Sequence, residues 1–181
     1  EDEDLVGPVG RATRRRLIWR AINLGTAFLA ASVVGQFEAT ITELVALAVL
    51  MPIVAGMGGN AGTQVLALMV RGIALGQVGA SNIKPLLWKE ARVALLNGIV
   101  LGTILALIVL LWFHSIGLSV VIFVALTCNL VLAAIAGVLV PVALKRAGYD
   151  PALASGIFLT TVTDVMGFFT FLGLATLVLL R

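Results

Sequence analysis

Five long apolar runs constrain this chain more than any other feature of its sequence. They cover residues 17–37, 44–70, 94–113, 118–144 and 151–180. Each reaches the roughly 20 residues that a helix needs to cross the hydrocarbon core of a bilayer. Hydrophobic residues make up 61% of the sequence and charged residues only 12%, which is too apolar for a soluble domain of 181 residues. The sequence therefore predicts an all-α integral membrane protein with five transmembrane helices.

The links between these runs carry an uneven distribution of charge. Ten Lys and Arg residues lie before the first run, between the second and third, or between the fourth and fifth, and Arg20 lies at the start of the first run, whereas the opposite links hold Glu38, Glu43 and His114. Because basic residues collect in cytoplasmic loops, this bias predicts a cytoplasmic N-terminus and an external C-terminus. Residues 1–16 are then an acidic and basic cytoplasmic lead, and residues 17–181 are the membrane domain. The net charge of +3 is explained by topology and does not require a nucleic-acid partner.

Few residues suit soft-metal or redox chemistry. The chain has one cysteine, Cys128, and one histidine, His114, so it has no pair for a disulfide and no cluster for zinc, copper or iron. Cys128 is interpreted as a small core residue, and Asn129 as the donor or acceptor of a hydrogen bond between helices.

The fifth run contains a carboxylate, Asp164, as the one charged residue between Gly156 and Leu180. A charge at the centre of a bilayer costs about 2.5 kcal/mol or more, and such residues mark ion or proton pathways more often than they serve packing. A protonated Asp164 bonded to the Thr160 hydroxyl is the alternative. At 100° per residue a small and polar stripe on this helix comprises Gly156, Thr160, Thr163, Asp164 and Gly167.

The second run carries a comparable stripe and many glycines. Pro52 removes a backbone donor and the glycines weaken the helix, so either a continuous helix or a break that frees carbonyl oxygens fits the pattern. Pairs of glycines four residues apart, Gly58 with Gly62 and Gly98 with Gly102, are typical of helix packing. The stripe of the second run comprises Pro52, Gly56, Gly59, Asn60, Thr63 and Gln64.

Two motifs then carry a resemblance to a known family. The segment "MPIVAGMGGNAGTQ", followed about ninety residues later by "AGYDPALASGIFLTTVTDVMGF", resembles the membrane domain of the MgtE family of magnesium channels. The resemblance covers nearly the whole chain, although Ile157 stands where many relatives have proline. It implies a homodimer in the bacterial cytoplasmic (inner) membrane, with one Mg²⁺ pore on the two-fold axis that is lined by the second and fifth helices. Full-length members often carry cytosolic magnesium-sensing domains, so these 181 residues are expected to be either a membrane domain excised from such a protein, with those domains as partners, or a naturally short member.

The same resemblance implies the site residues. The family aspartate corresponds to Asp164, the carbonyls of the glycine-rich helix to Gly56 and Gly59, and a further site-lining position to Thr160. The lining of the pore and of its cytoplasmic constriction is then assigned to Asn60, Thr63, Leu153, Ser155 and Gly156.

Magnesium chemistry is compatible with these residue types. Mg²⁺ prefers octahedral oxygen coordination and keeps several waters, so one or two carboxylates with carbonyls and hydroxyls around a hydrated ion suffice. Two copies of Asp164 in a dimer balance one divalent charge. Three alternatives stay open: a proton- or sodium-coupled cation carrier that uses Asp164, an intramembrane aspartyl protease whose second carboxylate comes from the other subunit, and a passive membrane anchor.

Overall fold

The computed structural model describes residues 9–79 and 81–180, apart from the side chains of residues 11, 12, 15 and 153. Residues 1–8 of the expected cytoplasmic lead lie outside this range. Five of the helices are long and apolar enough to cross a membrane, which confirms the predicted all-α class with five spans. The helices are α1 (Val9–Gly35), α2 (Glu38–Glu43), α3 (Ala46–Ala74), α4 (Ile83–Phe113), α5 (Ile116–Arg146) and α6 (Pro151–Leu179).

Local sequence signals explain where α5 and α6 begin. The Ser115 hydroxyl accepts a hydrogen bond from the Leu118 amide at 3.2 Å, and an Asp150 carboxylate oxygen accepts one from the Ala152 amide at 2.9 Å. Each side chain satisfies an amide of the first turn that has no partner within its helix. Pro151 follows Asp150 at the first position of α6, where its missing N–H is harmless.

Two elements differ from the extent of the apolar runs. α4 begins at Ile83, well before the run that starts at residue 94, because its first turns are polar but still helical. Asn82 closes the preceding loop: its Oδ1 accepts from the Gly79 amide at 2.9 Å and its Nδ2 donates to the Gln77 carbonyl at 2.6 Å. The link after α1 forms the short helix α2, whose Thr40 hydroxyl lies 2.9 Å from that of Thr176 on α6.

α5 is the central helix of the bundle. It packs against α3, α4 and α6, whereas α1 packs mainly against α6. Of the most apolar stretch of each helix, 56% is buried in α5 but only 6% in α1. The largest core cluster joins Leu50 of α3, Ile122 of α5 and Phe171 of α6, each at most 2% exposed. α3, α4 and α6 therefore surround α5, and α1 lies outside them against α6.

Glycines allow the close approach of α4 and α5. A Cβ atom at Gly98 would lie 2.9 Å from the Thr127 Cα, and one at Gly102 would lie 3.0 Å from the Phe123 ring. This contact, which we call the α4–α5 seam, confirms that Gly98 and Gly102 serve helix packing.

Candidate functional site

The glycine-rich helix α3 is continuous through Pro52 from Ala46 to Ala74, so the structure has the unbroken form of this segment. Proline still has no amide hydrogen, and the Ala48 carbonyl therefore lacks the donor that it would have in a regular helix. Both Ala48 and Pro52 are exposed in the single chain.

The predicted stripe of α3 lies on one open face. Gly59 is half-buried and the other residues of the stripe are exposed. A Cβ atom at Gly56 or Gly59 would meet no atom of the described residues within 4 Å, whereas one at Gly62 would lie 2.9 Å from the Leu159 side chain of α6. The glycines of α3 thus divide into an open set, which includes Gly56 and Gly59, and a packed set.

The predicted stripe of α6 is divided by the packing of α5. Gly156 and Thr160 are exposed and Asp164 is half-buried, but Thr163 is completely buried and Gly167 packs against Asn129. The five residues do not share one environment, because α5 covers the side of α6 on which Thr163 and Gly167 lie.

The two remaining predicted residues of α6 do not add to the open face. Ser155 is 1% exposed, and its hydroxyl oxygen has no hydrogen-bond partner in the described part of the chain. It lies on the packed side of α6, next to the exposed Gly156. The side chain of Leu153 is outside the described residues.

Asn129 of α5 fixes the relative depth of α3 and α6. Its Nδ2 donates to the Val54 carbonyl at 2.9 Å, which confirms the predicted hydrogen bond between helices. A Cβ atom at either Gly58 or Gly167 would collide with this same amide. The Asn129 side chain is fully buried, and its Oδ1 has no partner among the described residues.

A second crossing point defines the level of the site. α3 and α6 meet Asn129 through Gly58 and Gly167, and they meet each other where Gly62 faces Leu159. The two helices are therefore antiparallel. Between these crossings α3 carries Gly59 and Asn60, and α6 carries Thr160 and Asp164. The structure thus brings four of the predicted site residues to one level of the bundle. We call the exposed parts of the two stripes, together with Asp164, the α3–α6 face.

The hydroxyls on this face present lone pairs outward. Thr63 donates its hydrogen to the Gly59 carbonyl at 2.8 Å, and Thr160 donates its hydrogen to the Gly156 carbonyl at 2.8 Å. Each hydroxyl oxygen is then left as an acceptor. The alternative of a protonated Asp164 requires a hydrogen bond to the Thr160 hydroxyl, and this bond is not formed. No hydrogen bond or ion pair reaches the Asp164 carboxylate within residues 9–79 and 81–180.

The chemistry of this face suits a hydrated cation. One carboxylate with hydroxyl and carbonyl oxygens accepts hydrogen bonds from the waters around a hard ion. The described residues contain no group of three His, Cys, Asp or Glu side chains that would hold a bare metal ion. Cys128 is exposed, so its interpretation as a core residue was wrong. It lies on a side of α5 that the neighbouring helices do not cover.

Sequence reasoning missed a second carboxylate in the helical bundle. Glu90 of α4 is only 8% exposed, although it lies in the polar segment before the third apolar run. One signal could have found it. Glu90 lies between Lys89 and Arg92 in a segment that is continuous with the helix of the third run, which favours a side chain that packs in the bundle over one in a solvated loop.

The sequence is similar to proteins of known class over most of its length. Residues 51–174, which include both motifs and the α3–α6 face, match the family model MgtE, described as a divalent cation transporter. The chain is 33% identical over 165 residues to the magnesium transporter MgtE of Bacillus subtilis. These aligned residues are 91% of the chain and 37% of that relative. The protein of the same name from Enterococcus faecalis is 34% identical over 167 residues, covering 92% of the chain and 37% of that relative.

A third relative, the magnesium transporter MgtE of Thermus thermophilus, is 33% identical over 164 residues, which are 91% of the chain and 36% of that protein. The chain therefore spans little more than a third of these relatives. The three matches agree in extent. On the family model and these three relatives together, the chain belongs to the MgtE family of divalent cation transporters.

Proposed function

We propose that this chain is the pore unit of a magnesium channel, in which two copies meet at a two-fold axis and conduct hydrated Mg²⁺ between their α3–α6 faces. The observation that carries the proposal is the exposure of Asn60, Thr63, Gln64 and Thr160 on helices that are long and apolar enough to span a membrane. Exposed polar groups in hydrocarbon are unfavourable. A second subunit and a column of water between the subunits remove that cost.

The dimer also completes the charge of the site. One Asp164 carboxylate neutralises half of a divalent ion, and the two-fold axis supplies the second copy. At an effective dielectric constant of about 20, one unit charge about 5 Å from a divalent ion contributes several kcal/mol before desolvation is subtracted. The hydroxyls of Thr63 and Thr160 add oxygen acceptors for the water shell, while Gly56, Gly59 and Gly156 line the adjacent part of the face.

The similarity to three magnesium transporters supports Mg²⁺ as the cargo. The direct test is flux through the purified protein in liposomes, with Mg²⁺ compared against Ca²⁺ and with a proton or sodium gradient imposed or absent. A channel gives Mg²⁺ flux that follows voltage and does not depend on either gradient. Flux that requires a proton or sodium gradient would instead support the coupled carrier, and no flux would support an anchor.

The proposed assembly and orientation are tested separately. Native mass measurement in detergent should report two copies of the chain, and an active monomer would contradict the shared site. In intact cells a cysteine introduced between Glu38 and Glu43 should react with an impermeant reagent, whereas one at Lys84 should not. The native Cys128 is replaced by serine in both variants because it is exposed. The reverse pattern would overturn the cytoplasmic N-terminus.

A further inference from the structure

A cleft separate from the α3–α6 face lies between α3 and α4. Its volume is about 450 Å³, and its walls are mainly apolar side chains, including Val65 and Met69 of α3 and Leu86 of α4. These two helices have little direct contact with each other, because α5 lies between them. Along α3 the cleft extends from Val65 to Gly72, which is about 10 Å of helix.

One carboxylate and one ammonium group of α4 line the cleft, beyond the loop residues Gln77 and Asn82 that line it as well. Glu90 is 8% exposed, whereas the side chain of Lys89 is 69% exposed, and the Lys89 Nζ lies 3.5 Å from the Glu90 Oε1. That distance exceeds the roughly 2.7–2.9 Å of a charge-assisted hydrogen bond. No hydrogen bond to the Glu90 carboxylate is present in the described part of the chain. A buried carboxylate therefore retains unused acceptor capacity.

Neighbouring side chains place Lys89 and Glu90 at the membrane surface. Trp88 is 67% exposed, and the Arg92 guanidinium lies 6.0 Å from the centre of its ring. Tryptophan and arginine are typical of the boundary between hydrocarbon and water. From Val93 onward the exposed residues of α4 are predominantly apolar. Lys89 and Glu90 are thus at headgroup level, with Gln77 and Asn82 lining the cleft on the side of the α3–α4 loop and Val65 lining it furthest from that loop.

We propose that the cleft binds a phospholipid whose headgroup carries a primary amine. Its ammonium group donates hydrogen bonds to Glu90, its phosphate pairs with Lys89, and an acyl chain leaves the cleft past Val65, the lining residue of α3 that is furthest from the loop. The charges of the cleft and of the headgroup are complementary one for one. A choline headgroup has no N–H to donate, and the glycerol headgroup of an anionic lipid brings no positive charge to Glu90. This inference depends on the location in a membrane and not on magnesium conduction.

The first experiment needs no variant. The purified protein is measured by native mass spectrometry in detergent with equal amounts of phosphatidylethanolamine, its mono- and dimethylated forms, phosphatidylcholine and phosphatidylglycerol. Retention should fall as N–H donors are removed, with phosphatidylethanolamine retained about tenfold more than phosphatidylcholine, as expected for one charge-assisted hydrogen bond. Equal retention across the series would overturn the proposal, as would preferential retention of phosphatidylglycerol.

A pair of variants then assigns the lipid to this cleft. Glu90→Gln should abolish the preference for phosphatidylethanolamine over phosphatidylcholine, and Glu43→Gln, at the exposed end of α2, should leave it unchanged. A preference that survives Glu90→Gln in a folded protein places the lipid elsewhere and overturns the proposal. Loss of the lipid on addition of Mg²⁺ in the wild type but not in Asp164→Asn would also overturn it, since it would link retention to the α3–α6 face.

Discussion

Two glycine-rich regions of this bundle look alike in sequence and differ in structure. On α4, Gly98 and Gly102 face Thr127 and Phe123 of α5 at distances that leave no room for a side chain. On α3, Gly56 and Gly59 face open space. Both pairs of glycines spaced by four residues, Gly98 with Gly102 and Gly58 with Gly62, are packed, whereas Gly56 and Gly59, three residues apart, lie on an open face. The distinguishing features are the polar residues Asn60, Thr63 and Gln64 around the open glycines and the absence of a facing side chain.

The largest effect on Mg²⁺ flux should come from a substitution of Asp164, the carboxylate of the open α3–α6 face. Asp164→Asn keeps the shape of the side chain but removes two charges from a dimeric site. The loss of several kcal/mol of ion interaction should reduce Mg²⁺ flux by more than about a hundredfold and weaken selectivity over Na⁺ and K⁺. Liposome flux measures both. Folding should be retained, because a partly buried charge is removed.

The matched control for this variant is Glu43→Gln, which removes an exposed carboxylate at the end of α2 and should leave flux unchanged. Flux at the wild-type level in a folded Asp164→Asn dimer would return Asp164 to a packing role and remove the basis of the proposed ion site.

A larger side chain should lower Mg²⁺ flux at Gly59 and should lower the stability of the fold at Gly98. Gly59→Val has room in the single chain, so the protein should fold while flux falls about tenfold or more, because a branched side chain obstructs the face. Gly98→Ala puts a methyl group 2.9 Å from the Thr127 Cα, which should lower stability by about 1–3 kcal/mol.

Measuring both flux and thermal midpoint on the two variants separates these effects. Flux per folded molecule should be near normal for Gly98→Ala and low for Gly59→Val. If both variants lose flux equally per folded molecule, α3 does not line the pore in the way proposed.

A smaller effect is expected at Asn129, which touches both helices of the open face. Asn129→Leu removes the hydrogen bond to the Val54 carbonyl and places a branched side chain against Gly58 and Gly167. A hydrogen bond between membrane helices contributes about 1 kcal/mol, so the thermal midpoint should fall by a few degrees. Asn129→Ala, which removes the amide without adding a branched side chain against the two glycines, separates the lost hydrogen bond from the steric effect. A higher midpoint for Asn129→Leu than for wild type would contradict this role.

The smallest expected effect is at the contact between Thr40 of α2 and Thr176 of α6. Thr40→Val keeps the volume and removes one hydroxyl, with an expected loss of about 0.6 kcal/mol and no change in flux. Thr42→Val, where the hydroxyl donates within its own helix and is exposed, is the comparison variant. A flux change at Thr40 larger than that of Gly59→Val would show that α2 takes part in conduction.

The sequence predicted the parts of this structure that depend on hydropathy and local chemistry. The five spans, the stripe of α3 and the bond made by Asn129 required only apolar length, helical periodicity and the cost of a buried amide. The start of α4 at Ile83 was not predictable from hydropathy, because Lys84, Lys89 and Glu90 make a helical segment look like a loop.

The sequence also did not predict which residues are buried by contact with a neighbouring helix. Thr163 and Gly167 share the ideal stripe of Asp164, and only the position of α5 shows that they face inward. Ser155 is polar and adjacent to the exposed Gly156, yet it is buried for the same reason. The outward position of Cys128 follows from which sides of α5 its three neighbours cover.

The central position of α5 has a consequence for biosynthesis. Helices emerge in chain order, and α3 and α4 have little contact with each other, while the main partner of α1 is α6. The first three spans to be inserted, α1, α3 and α4, therefore have few native contacts to make until α5 has left the ribosome. α1 makes its main native contacts only after α6 has been inserted. During synthesis most of the spans must persist as individually stable helices in lipid, and the tertiary structure then forms late and nearly at once.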